Sequence, residues 1–173
     1  MKIVSSIILL SVLSNSAIAA VNKAVSQNQS KKVTLQKSDV IELSKFESMF
    51  LLDPRTPGLH LSMKKTALAY KEKSVPTLIK VMKEEKYPDP NRWQATMLLA
   101  QVMGKKSAAF IAKYSEHPNW MMRLASLKAL MGLRQETYIS VYSRALKDSS
   151  LIVRLQALDN ISQMKIKTLA PEV

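Results

Sequence analysis

Arg92, Arg123 and Arg154 stand at intervals of thirty-one residues. A guanidinium is permanently charged and presents its donors as a planar fork that fits carboxylate or phosphate. Three of them in one register could grip an anionic ligand, or they could tie one structural unit to the next. The residues by themselves leave both roles open, and each arginine heads the same local pattern. A small residue follows three positions on (Ala95, Ser126, Ala157), and an apolar one follows at seven (Leu99, Leu130, Ile161). Trp93, Leu124 and Leu155 come directly after the arginines.

Other chemistry finds little support. His60 and His117 are far apart, and neither has an acidic or histidine neighbour at a helical metal-ligand spacing, so no metal site is expected. The chain has no cysteine, which excludes disulfides, thiolate catalysis and cysteine-ligated metals. There is no glycine-rich phosphate loop and no nucleophile elbow. Acid–base catalysis needs two converging carboxylates, and the face expected to be open offers Asp159 alone. The expectation is a protein without catalytic residues, metal or cofactor, and not an enzyme.

The arginines must be positioned by helices. Offsets of one, three, four, seven and eight fall on one side of a helix turning about 100° per residue. Each arginine therefore opens the second helix of a unit. A first helix precedes it: Val75, Leu78, Ile79 and Met82 match Ser107, Phe110, Ile111 and Tyr114, then Tyr138, Val141, Tyr142 and Ala145. Helix-breaking and helix-capping residues separate the two helices: Pro88 and Pro90, then Pro118 and Asn119, then Asp148, Ser149 and Ser150. A further pair is predicted near 39–52 and 59–72. Ser38 or Asp39 would cap its first helix, Ile41, Phe46, Met49 and Phe50 would share one side, and the run from Asp53 to Gly58 would end it. With three glycines and 47% hydrophobic residues, the chain reads as all-α. One hairpin cannot bury its apolar face alone, so about four would have to stack.

The run Asp148-Ser-Ser-Leu-Ile-Val153-Arg154-Leu-Gln-Ala157-Leu158 resembles the HEAT-repeat pattern, and the period is closest to the short HEAT-like repeats of the phycobilisome-lyase type. The resemblance covers roughly residues 38–168 and implies a right-handed α-solenoid of about four HEAT-like hairpins, with the repeat domain at 38–170. It also implies a ladder of aspartate–arginine contacts between adjacent repeats. Lys86 and His117 stand where the aspartate belongs in the two units before the last, so the ladder is expected to be largely missing and the arginines freer to meet solvent or a ligand.

A solenoid binds along its concave face, here the side of the second helices opposite the buried stripe. Those positions supply Gln94, Met97 and Gln101, then Lys128, then Gln156, Asp159 and Gln163; Trp120 and Arg123 at the adjoining turn complete a candidate partner-binding set. Lysines gather elsewhere, and Lys31, Lys32, Lys64, Lys65, Lys80 and Lys83 form a candidate surface for anionic lipid or an envelope polymer. Aromatic residues make up only 6% of the chain, which argues against nucleic-acid binding by base stacking.

Residues 1–19 read as a signal peptide: Lys2, an apolar stretch from Ile3 to Leu13, then Ala17-Ile18-Ala19 as the cleavage site. Residues 20–37 read as a flexible basic leader. Export to a bacterial periplasm or beyond is expected, with no transmembrane segment after cleavage. The formal charge of +13 predicts attraction to anionic surfaces or acidic proteins. Together these readings point to an exported scaffold for an unidentified protein or peptide, with a peripheral module for an anionic surface as the alternative.

Overall fold

The computed structural model describes residues 37–172, with side chains from Val40 to Leu169. The signal peptide and all but the last residue of the leader lie outside the described residues, as do Lys31 and Lys32. Among the described residues eight α-helices follow one another: α1 (Lys37–Met49), α2 (Leu59–Tyr70), α3 (Val75–Lys83), α4 (Asp89–Met103), α5 (Ala108–Ala112), α6 (Trp120–Gly132), α7 (Ile139–Leu146) and α8 (Leu151–Met164). Short 3-10 turns at Lys71–Ser74, Gly104–Ser107, Lys113–Glu116 and Lys167–Glu172 complete the path, and no strand occurs among the described residues.

The helices pair as the thirty-one-residue period requires. α3 packs on α4, α5 on α6 and α7 on α8, while α2, α4, α6 and α8 form a row in which each touches the next. α1 packs on both α2 and α3, and the final 3-10 turn packs on α7. Ala95, Ser126 and Ala157 are each fully buried, which explains the small residue at that offset: the neighbouring helix comes too close for a longer side chain. Ser126 satisfies its buried hydroxyl by donating to the Ile111 carbonyl of α5 at 2.8 Å. Leu99, Leu130 and Ile161 are buried at the next turn, each contributing about 2 kcal/mol of apolar burial.

Local signals set the helix ends. Pro90 occupies the first turn of α4, where a missing N–H costs nothing. Asn119 caps α6, its Oδ1 accepting the Met121 N–H at 2.8 Å. Each member of the row is followed by a positive φ, at Lys71, Gly104, Arg134 and Lys165; Lys71 and Gly104 share one conformation, with ψ of −129° and −144°, while Lys165 is left-handed helical, and of the four only Gly104 is the residue that adopts a positive φ without strain.

Some expectations fail in detail. Ile41 is 51% exposed, and the packed side of α1 is Leu43, Phe46 and the partly buried Met49, with Phe50 buried directly after it. The first helix of the third unit is only five residues long, continued by the Lys113–Glu116 turn. Leu155, expected in the buried stripe, is 54% exposed.

Candidate functional site

The three arginines lie at the turns between first and second helices, and their surroundings differ. Arg123 is the most completely engaged. Its Nε and Nη2 donate to Asp148 Oδ2 and Oδ1, both at 2.7 Å, and its Nη1 donates to the carbonyls of His117 and Pro118 at 2.9 Å. The pair is nearly buried, and the Arg123 hydrogen bonds hold the Asp148 carboxyl below its ordinary range against the opposing effect of burial. Asp148 Oδ1 also accepts the Ser150 N–H at 2.8 Å, which shapes the turn that starts α8.

Arg92 is buried as well. Its Nε and Nη2 donate to the Met82 carbonyl at 3.3 and 3.1 Å, and its Nη1 reaches Asp89 Oδ1 at 3.1 Å. His117, twenty-five residues downstream as Asp148 is from Arg123, sits 3.4 Å from Nη2. The expectation of freer arginines is therefore corrected: one rung is a full ion pair, another is a guanidinium satisfied by a carbonyl and a local aspartate, and neither faces open solvent. Arg154 alone differs, with Nη1 donating to the carbonyls of Asp148 and Ser149 while Nε and Nη2 meet no acceptor among the described residues.

His117 accepts the Asn119 N–H on Nδ1 at 3.0 Å, and its ring stacks on Tyr114 with centroids 5.7 Å apart. Both ring nitrogens face N–H groups, so a second proton would find no acceptor. Burial and then the Arg92 charge push its pKa below the ordinary 6.5, with Asp89 and Glu85 opposing weakly. The folded state thus resists a proton that the unfolded chain accepts, and stability present at neutral pH is lost as the pH falls through the unfolded value and below. Denaturant unfolding should show this loss between about pH 7 and pH 5, and His117→Asn should flatten the profile in that window. The loss due to Asp148 belongs at lower pH, below the ordinary carboxylate range.

These turns border a groove of about 440 Å³ lined by Asp89, Pro118, Asn119, Trp120, Arg123, Ser149 and Ser150. Its polar rim is held in place from within: Asn119 donates from Nδ2 to Asp89 Oδ2 at 2.6 Å while its other end caps α6, and Arg123 Nη2 reaches Ser149 Oγ at 3.4 Å. Trp120 stands at the edge of this rim, 41% exposed. The groove offers an apolar ring beside hydrogen-bonding groups already fixed in place, an arrangement suited to holding a surface.

Of the residues expected on an open face, only Gln101 and Gln163 are exposed, while Gln94, Met97, Lys128 and Asp159 are half-buried. Gln156 is buried and corrects the expectation. Its Nε2 donates to Asn160 Oδ1 at 2.7 Å, and Asn160 Nδ2 donates to the Leu127 carbonyl of α6 at 2.8 Å. That side of α8 is the seam with α6. Asp159 accepts from Gln163 Nε2 at 2.7 Å.

Among the candidate lysines, Lys64 and Lys65 are exposed on α2. Lys80 is engaged with Glu47 at 2.8 Å, and that same carboxylate accepts the Tyr87 hydroxyl at 2.6 Å. Tyr87 was not singled out in the sequence, yet it is 2% exposed, and burial, then Glu47, pushes its pKa up to about 12. Lys83 instead lines a smaller hollow with Lys113, Tyr114 and His117. Among the described residues no helix is long and apolar enough to cross a membrane, and no three His, Asp or Glu side chains cluster as a metal site. No model of a known protein family matches this chain, and no curated protein does.

Proposed function

We propose that this protein is a non-enzymatic binding scaffold, its four helical hairpins stacked as a right-handed HEAT-like solenoid that holds a segment of another protein at the turn edge. The observation that carries the reading is Trp120. A large apolar ring stays 41% exposed beside a rim whose polar groups are already bonded to one another. Exposed tryptophans in pre-ordered surroundings contribute disproportionately to binding, because little side-chain freedom is lost on docking. The apolar stretch at residues 3–13 and the small-residue motif after it support export, and the partner would be met in a bacterial periplasm or outside the cell. The seam residues Gln156 and Asn160 serve stacking in this reading, which moves the binding surface from the concave face to the turns. Trp120→Ala should leave the helical circular dichroism spectrum unchanged and reduce capture of a specific protein from envelope extract by about tenfold or more. Equal capture by both forms would remove the groove from the account.

A second reading has its own observation. Leu61, Lys64, Lys65 and Leu68 follow one another at helical spacing on α2, all exposed, and neither lysine has an ion-pair partner among the described residues. Such a stripe matches an anionic lipid surface. Binding to anionic vesicles should then fall steeply with salt, and the double substitution Lys64→Gln and Lys65→Gln should abolish it. Salt-independent binding would rule this reading out.

A further inference from the structure

The interior of the molecule is a template for what belongs on α8, the last α-helix among the described residues. α6 has a successor, α8, packed against it, and there Leu124 and Leu127 are 6% and 0% exposed. Their counterparts one period later on α8 are Leu155, 54% exposed, and Leu158, half-buried. Leu151 and Ile152 beside them are also exposed, at 58% and 51%. The same difference holds for charge. Arg123 receives its carboxylate from Asp148, at the turn that opens the successor helix, whereas Arg154 hydrogen-bonds only carbonyls of its own turn and meets the Asp148 charge without a hydrogen bond. The Lys167–Glu172 turn does not supply cover, because it packs on α7.

We propose that this face of α8 is a docking surface for another protein that presents a carboxylate in the turn before an amphipathic helix. The carboxylate would take the fork of Arg154 as Asp148 takes that of Arg123, and the apolar side of the partner's helix would cover Leu155 and Leu158, the counterparts of Leu124 and Leu127. Two features of the chain argue for an acidic partner. Residues 1–36 contain no Asp or Glu, so their side chains cannot complete the rung. A formal charge of +13 sets two copies against each other and favours an acidic molecule. The surface adjoins the Trp120 groove, since Arg154 donates to the carbonyl of Ser149 on the groove rim, but it uses other side chains.

The test uses the full chain and, as probe, a hydrocarbon-stapled peptide with the sequence of residues 148–164, its helicity checked by circular dichroism. Amide shifts on titration should map to α8. Arg154→Gln in the protein, Leu155→Ser in the protein and Asp148→Asn in the peptide should each weaken binding about tenfold, the scale of a lost charge-assisted contact or a lost apolar anchor. Lys106→Gln, on the exposed Gly104–Ser107 turn, should leave it unchanged, which separates loss of the Arg154 contact from a general loss of positive charge. Absence of binding by a helical peptide, or binding indifferent to Arg154→Gln and Asp148→Asn, overturns the proposal. Sedimentation of the protein alone showing dimers that Arg154→Gln dissociates would assign the face to a second copy and overturn the acidic partner.

Discussion

Asp148→Asn should be among the most damaging single substitutions in the second half of the molecule, lowering unfolding free energy by about 3 kcal/mol. The side chains of Arg123 and Asp148 are 13% and 10% exposed, so the pair is poorly screened by water. Asparagine retains one oxygen that can still accept the Ser150 N–H. Its amide, however, sets N–H groups against the guanidinium and leaves the Arg123 charge without its counterion. The exposed pair between Arg144 and Glu116 provides the control, since both side chains are more than half exposed. Glu116→Gln should cost less than about 1 kcal/mol, because an exposed ion pair gains little over its solvated parts. Denaturant titration of the two variants at neutral pH compares them directly; equal effects would mean that the rung does not hold the last two units together.

Arg92→Met is expected to cost about as much, again near 3 kcal/mol, for a different reason. Methionine can fill the channel that the arginine stem occupies, so the loss is not chiefly a cavity. The Met82 carbonyl loses the two donors it has from Nε and Nη2, and Asp89 loses its cation while Asn119 still donates to it. An unpaired buried acceptor carries its desolvation cost undiminished. Arg154→Gln, by contrast, removes contacts to two carbonyls on the surface and should cost less than about 1 kcal/mol. Thermal or chemical unfolding of Arg92→Met, Asp148→Asn and Arg154→Gln should therefore give two large losses and one small one. Three equal losses would contradict the different environments described for the arginines.

The repeat itself was legible in the chain because periodicity is a local property. Helix positions, the small residues Ala95, Ser126 and Ala157, and the polar turns all follow from spacing within one unit, and each reappears in the structure. The contacts that decide which surface is open are not local. Tyr87 meets Glu47 across forty residues, Asn91 Nδ2 reaches the Phe50 and Leu52 carbonyls, and Asn160 reaches Leu127 across thirty-three. In sequence, an asparagine on the polar side of a helix looks solvated; only the neighbouring helix shows that Asn160 lies in a seam. His117 stands in the place of the missing aspartate, and Asp89, three residues before Arg92 on the same helix, accompanies the arginine instead, a pairing whose spacing is itself visible in the sequence. Trp120 was identifiable from its turn position, since an aromatic just after Pro118 and Asn119 lies off the buried stripe.

Binding at the turn edge is the central claim, and cross-linking tests it most directly. A photoreactive residue would replace Ser149 on the groove rim and, in a second variant, Gln163 on the exposed side of α8, with both proteins expressed with the full leader and irradiated in cells. The account predicts a discrete protein adduct from position 149 that disappears when Trp120→Ala is added. No protein adduct from 149, together with salt-sensitive binding of the same protein to anionic vesicles, would contradict it and leave the lysine stripe of α2 as the working surface.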